Sequence, residues 1–284
     1  MTAATPSIPA AGWASRLRRP ARAGAVLLVG VLVVVALLPL DPTTTDLGQR
    51  FAGPSAEHPL GTDHLGRDML ARLAVAARIS VGFTLVALAL CAAIGTLLGT
   101  LGGWVGGALG QSIQRLVDVL VAVPAVLVGL VVIAASEDGA PGPGPLLIAI
   151  VAVGWTPFAR LTHQLVARER SRDYVMGATA IGAGPLRIAT RHVLPNLTRP
   201  LLSHLCLRFA NTLLTVAGLS FLGLGPQPPT PEWGAMLAES RQFLFVAPQL
   251  ALLPGLAVVG TALLVTLLGR ALERRWATGP TGQF

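Results

Sequence analysis

The sequence predicts an all-α integral membrane protein with six transmembrane helices. Three observations lead there. First, the 284 residues are 53% hydrophobic and 12% charged, with a mean hydropathy of +0.68. A soluble domain of this length carries about 25% charged residues, so lipid is the solvent for most of this chain. Second, a spanning helix needs about 20 mostly apolar residues, and six stretches qualify: residues 24–40, 79–102, 116–135, 146–166, 201–222 and 247–268. Third, arginine is unevenly shared between successive connections. With the N-terminus in the cytoplasm, fifteen arginines fall on cytoplasmic segments and five (Arg50, Arg67, Arg72, Arg78 and Arg241) on outer ones. This positive-inside asymmetry puts both termini in the cytoplasm.

Taken in order, residues 1–23 form a cytoplasmic tail carrying Arg16, Arg18, Arg19 and Arg22. The first apolar run mimics a signal peptide, but no small-residue cleavage site follows Leu38, Pro39 and Leu40, so it reads as an uncleaved helix. Residues 24–270 form one transmembrane domain without internal repeat, and 271–284 a second cytoplasmic tail. The outer segment 41–78 ends in an amphipathic stretch, 67–78. The second span carries Gly95, Gly99, Gly102 and Gly103, a small-residue seam that lets another helix approach closely, from this chain or a partner. Arg115 and Asp118, three apart in the third span, are expected to pair. The glycine–proline run 137–145 forbids a helix. Pro157 bends the fourth span near its inner end, as a gate element or a fixed bend. The inner loop 167–200 and the outer loop 223–246 complete the chain.

Several chemistries are excluded. All 21 basic residues are arginine, so neither a P-loop lysine nor a Schiff-base lysine exists. Cys91 and Cys206 lie in apolar runs, too far apart for metal-ligand spacing, and read as packing residues. His58, His64, His163, His192 and His204 are scattered, none beside a plausible nucleophile. His58, Asp63, His64 and Asp68 offer metal-ligand atoms, but match no standard spacing. Nearby Gly61 and Gly66 favour turns, with Asp63 and Asp68 as turn and helix-cap residues. No catalytic residue and no metal site are expected. The sequence pI of about 11.4 is accounted for by membrane orientation, and no nucleic-acid partner is expected.

Two segments carry function. In the inner loop, residues 173–181 read as a short helix that Gly182 ends at positive φ. Pro185 then opens a second short helix and Pro195 closes it. Small residues Gly177, Ala178 and Ala180 leave a shallow surface that another protein can approach; the plainer reading is a simple connection. In the fifth span, His204, Arg208, Asn211 and Thr215 share one helical face. Polar groups in a span are expensive and face a bundle interior or a water-filled path. The face therefore either bonds helices together or lines a translocation path.

At these residues the chain resembles the permease family of binding-protein-dependent ABC importers. Aligned on Gly182, Leu194 and Pro195, the family's Glu-Ala-Ala signature falls on Met176, Gly177 and Ala178, and its isoleucine on His192. The His192–Asn196 ending is typical of the peptide/nickel branch. Two further stretches, from His58 to Asp68 and from Ser220 through Trp233 to Leu237, look like the second permease subunit of dipeptide, oligopeptide and nickel systems. The likeness spans about residues 55–270.

The resemblance implies a type I ABC importer permease fold in a bacterial inner membrane. It implies a coupling loop, 173–196, docked on an ATPase through Met176, Gly177, Ala178, Ile181, Gly182, Pro185, Leu186, His192, Leu194 and Pro195. It implies a homologous permease as heterodimer partner and two ATPase subunits that hold ATP and Mg, this chain holding no cofactor. An extracytoplasmic binding protein is expected to dock near His58, Gly61, Asp63, Arg67, Asp68 and Trp233. Dipeptides or oligopeptides are the expected cargo, with nickel chelates as the alternative. A different class, the ion-coupled secondary transporter, usually needs a mid-membrane carboxylate, and none is found here.

Overall fold

The computed structural model describes residues 40–135 and 140–277; the predicted span at 24–40 therefore lies almost wholly outside the described residues. Ten helices follow: α1 (Met69–Val105), α2 (Gly107–Ala122), α3 (Ala125–Ala134), α4 (Pro143–Gly154), α5 (Thr156–Arg170), α6 (Asp173–Ala180), α7 (Pro185–Ile188), α8 (Leu194–Phe221), α9 (Trp233–Ser240) and α10 (Gln249–Ala277). No strand occurs among the described residues. Four helical spans among them are long and apolar enough to cross a membrane, or five if α2 and α3 count as one broken span.

Asp68 caps α1 by accepting from the Ala71 amide at 2.6 Å. No proline follows for 37 residues, so residues 69–78 of the predicted amphipathic stretch 67–78 are absorbed into the span rather than lying apart from it. At 1.5 Å per residue α1 is about 55 Å long, well beyond a hydrocarbon core of about 30 Å, and its first turns, with Met69, Arg72, Ala76 and Ala77 buried, pack within the bundle.

The third predicted span is not one helix. Pro124 lacks an amide hydrogen and disfavours helical backbone at the residue before it; Val123 is accordingly extended, and α2 and α3 meet at 90°. On α2, Asp118 pairs with Arg160 of α5 at 2.5 Å, not with Arg115 as the i,i+3 spacing predicts. Where a bend is predicted at Pro157, the helix is interrupted at Trp155 and the proline sits in the first turn of α5, the two pieces forming one span. Pro195 does not close a helix: the path continues through a wide π-helical turn, Ala189–Val193, and Pro195 sits in the first turn of α8.

The glycine seam is used within the chain. A Cβ at Gly95 would lie 2.4 Å from the Trp155 carbonyl oxygen, one at Gly99 2.5 Å from that of Ala159, and one at Gly103 2.7 Å from that of His163. Three turns of α1 therefore touch the backbone of α5 directly. Leu88, Cys91, Phe158, Phe209, Leu213 and Trp233 are buried in the main apolar cluster around this contact. A smaller cluster, Val166, Val175, Ile188, Val193 and Leu197, fixes α6 and α7 beneath α5 and α8.

Candidate functional site

Three sites were predicted, and the bundle places them at its two ends and along α8. At one end α6 and α7 form a helix–turn–helix. The turn closes with the Gly182 amide donating to Thr179 O at 3.0 Å and Ala183 to Ala178 O at 3.0 Å. Gly182 has φ +83, which side-chain-bearing residues rarely adopt. Pro185 opens α7 as predicted. Val175 and Ile188 are held in the small cluster, so the opposite side of the hairpin faces outward. Ile181 is 87% exposed and Met176 55%. Gly177, Pro185, His192 and Pro195 are also exposed, and Ala178 and Leu194 are partly buried; nothing is described of the Leu186 side chain. A Cβ at Gly177, Gly182 or Gly184 would meet nothing within 4 Å among the described residues. A cleft of about 550 Å³, bordered by Trp104, Met176, Thr179 and Pro185, runs beside the hairpin.

Along α8, His204, Arg208 and Thr215 are partly buried and Asn211 is exposed, so the predicted face is not sealed in the core. The His204 ring meets Phe158 edge-on at 5.0 Å. Thr215 donates its hydroxyl to Asn211 O at 2.9 Å. Below this face a cleft of about 1140 Å³ lies between α5, α8 and the end of α10, bordered by Leu165, Arg168, Arg199, Ser203, His204 and Glu273. In it Glu169 pairs with Arg172 at 3.1 Å and accepts from Tyr174 at 2.8 Å.

The third predicted set lies at the α9 end, and most of it is buried. Asp63 Oδ2 accepts from Arg67 at 2.7 Å and from Arg72 at 2.5 Å; Glu239 accepts from the same two guanidiniums at 3.2 and 2.9 Å. Ser80 donates to Glu232 at 3.0 Å and accepts from the Trp233 amide at 3.1 Å. Gly61, Asp63, Arg67 and Trp233 are all buried. They do not present a free surface: Gly61 packs under the Ala52 backbone, Asp63 and Arg67 face the arginine–carboxylate cluster with Glu239 of α9, and Trp233 lies in α9 itself. Instead they clamp the segment before α1 onto α9. His58 and Asp68, paired at 2.7 Å, stay partly accessible. Arg72, Ser80, Glu232 and Glu239 were missed by sequence reasoning; a charged residue in each segment was the only signal, since 167 residues separate Arg72 from Glu239.

Asp63, His64 and Glu239 hold ligand-type atoms within 4.8 Å of one another, but both carboxylates are already shared by Arg67 and Arg72, whose positive charge opposes a cation. Burial works against ionisation of Asp63, yet the amides of Arg67 and Leu65 and the Arg72 guanidinium prevail, so its pKa is held below the usual 3.8. Burial lowers the pKa of His64 below 6.5, despite nearby Asp63.

The described residues form an all-helical, multi-span bundle with a punctuated helical hairpin at one end, as the resemblance to importer permeases implies. The chain belongs to the family of binding-protein-dependent transport system inner membrane components, whose pattern matches residues 95–278. It is 37% identical over 267 residues to the glutathione transport system permease protein GsiD of Escherichia coli O1:K1 / APEC, across 92% of this chain and 87% of that protein. The same figures hold for GsiD of Shigella sonnei (strain Ss046). It is 34% identical over 266 residues to the nickel transport system permease protein NikC of Escherichia coli (strain K12), across 92% of each. The chain is thus a non-catalytic, multi-pass inner-membrane permease of the type I ABC importer fold. Membership implies ATPase and substrate-binding partners, and sets aside the secondary-transporter alternative.

Proposed function

We propose that this chain forms half of a translocation path for short peptides, paired with a homologous permease and driven by two ATPase subunits through the 173–196 loop. Both termini then face the cytoplasm, ATP and Mg reside in the ATPases, and a binding protein delivers cargo at the α9 end. The observation that carries this reading is the apolar surface of the α6–α7 hairpin. Ile181, 87% exposed at the tip of the turn, and Met176, 55% exposed, stand with exposed Gly177, Gly182 and Pro185 in one apolar surface, and a patch of that kind marks a contact with another protein. The hairpin is anchored on its other side to α5 and α8 by Val166, Val193 and Leu197. Force applied to the tip therefore reaches the helix that carries the polar face.

ATP binding drives alternating access only by favouring one conformation of the pair over the other. A rigid hairpin meets that need, since a soft one would absorb the motion. Peptide cargo is supported by the likeness to GsiD, named for glutathione, a tripeptide. The likeness to NikC keeps nickel as the second reading.

The test is ATP hydrolysis by the reconstituted complex, driven by its binding protein loaded with peptide or with nickel. Peptide-dependent stimulation is expected, with a loss of about tenfold or more in Ile181→Asp, which places a charge where an apolar contact of about 2 kcal/mol is made. Stimulation by nickel alone overturns the peptide reading and keeps the coupling loop. Full stimulation in Ile181→Asp overturns the loop.

A further inference from the structure

Among the described residues Arg208 has no counter-charge. It stands fourteen residues from Leu194 and thirteen from Phe221 in α8, about 20 Å from either helix end at 1.5 Å per residue. That is too far for its side chain to reach the interface. A guanidinium does not shed its proton in a protein, so the charge persists, and an unpaired charge in a span is costly.

The chain has 13 acidic residues. None falls in residues 1–39 or 278–284, and Glu137 and Asp138 lie in the connection between α3 and α4. Among the described residues the carboxylates are engaged elsewhere or lie outside the span, and no ion pair reaches Arg208. Its titratable neighbours are His204 and Cys91, neither of them an anion partner. Arg208 Nε and His204 Nε2 are both shielded from solvent without a hydrogen-bond partner. They lie one turn apart on one face; His204 borders the large cleft and Asn211 beyond is exposed. This is a donor pair awaiting an acceptor that bears negative charge.

We propose that Arg208, assisted by His204, is an anion-recognition point of the path, engaging a carboxylate of the passing cargo. The proposal rests on the reading of this chain as half of a cargo path, and adds a cargo class to it. Peptides carry such a carboxylate. A bare divalent cation does not, and is repelled by the same charge. A carboxylate from the partner permease is the other source of the same chemistry, and the experiment separates the two.

Uptake per assembled complex is measured in proteoliposomes for wild type, Arg208→Gln and Arg208→Lys, with glutathione, dialanine and NiCl2 as cargo. Thermal disassembly of the same complexes is followed in parallel. The expected result is peptide uptake by wild type, a fall of about tenfold to a hundredfold in Arg208→Gln, the worth of a charge-assisted hydrogen bond, and substantial recovery in Arg208→Lys. Assembly and disassembly temperature stay unchanged. Joint loss of uptake and assembly overturns the proposal and assigns the counter-charge to the partner permease. Peptide uptake indifferent to Arg208→Gln overturns the anion site alone and leaves the peptide reading standing. Wild-type uptake from NiCl2 without peptide uptake overturns both.

Discussion

Asp63 shows what one buried side chain does here. Its carboxylate takes two guanidiniums and the amides of Leu65 and Arg67, while Asp63 and Arg72 side chains are each 2% exposed. Removing its charge leaves two buried guanidiniums to share the single carboxylate of Glu239, and breaking such a buried pair costs about 3–5 kcal/mol. Asp63→Asn is expected to release the segment before α1, seen as faster proteolytic cleavage between residues 41 and 68. The pH dependence has the same origin. The folded pKa of Asp63 is depressed, so its stabilisation is present above 3.8 and is lost as pH falls through the lower folded value. His64, with its pKa lowered below 6.5 by burial, favours the neutral form in the fold, so its contribution weakens as pH falls below 6.5. Proteolysis is therefore expected to accelerate on acidification from pH 7, most steeply below 3.8; a flat profile would contradict this account of the clamp.

At the scale of elements, the α1–α5 seam and the α6–α7 hairpin use glycine for opposite reasons. Gly99 is needed for space: a valine there meets Ala159 O at 2.5 Å and Thr162 Cβ at 2.7 Å with its Cβ alone. Overpacking of this kind costs about 1–3 kcal/mol, so Gly99→Val is expected to lower the unfolding midpoint of the detergent-solubilised permease. Gly82, on the same helix with nothing within 4 Å, serves as the control, and Gly82→Ala is expected to leave that midpoint unchanged or slightly raised. Gly182 is needed for conformation. It has open space but φ +83, where a side chain costs about 1–2 kcal/mol. Gly182→Val is expected to spare folding of the bundle and reduce ATPase stimulation. Equal loss of both would show the turn to be structural only.

At the scale of the molecule, the two ends are built differently. One is a charged clamp sealed under α9; the other is an exposed apolar hairpin. A permease that receives cargo at one face and force at the other needs this polarity. The orientation is tested by cysteine labelling in sealed vesicles, after Cys91 and Cys206 are replaced. Thr45→Cys and Ala180→Cys, both exposed and at opposite ends of the bundle, are expected to label from the extracytoplasmic and cytoplasmic sides respectively. The reverse pattern inverts the topology read from arginine placement.

The sequence by itself determined the helical membrane class, most of the spans, the Gly182 turn, the Pro185 helix start and the polar face of α8. Each depends on residue type within a few neighbours or on one helical period, and such preferences are written locally. Tertiary structure alone decided that Asp118 pairs with Arg160, that the glycine seam closes on α5 within the chain, and that Trp233 and Arg67 are buried. It also joined Arg72 to Glu239. These facts depend on which surfaces meet in space, and nothing in the local chemistry of an arginine names its partner 167 residues away. Pro124 lies between the two cases: a proline in an apolar run is legible, but whether it kinks a span or turns it by 90° depends on what the two halves pack against.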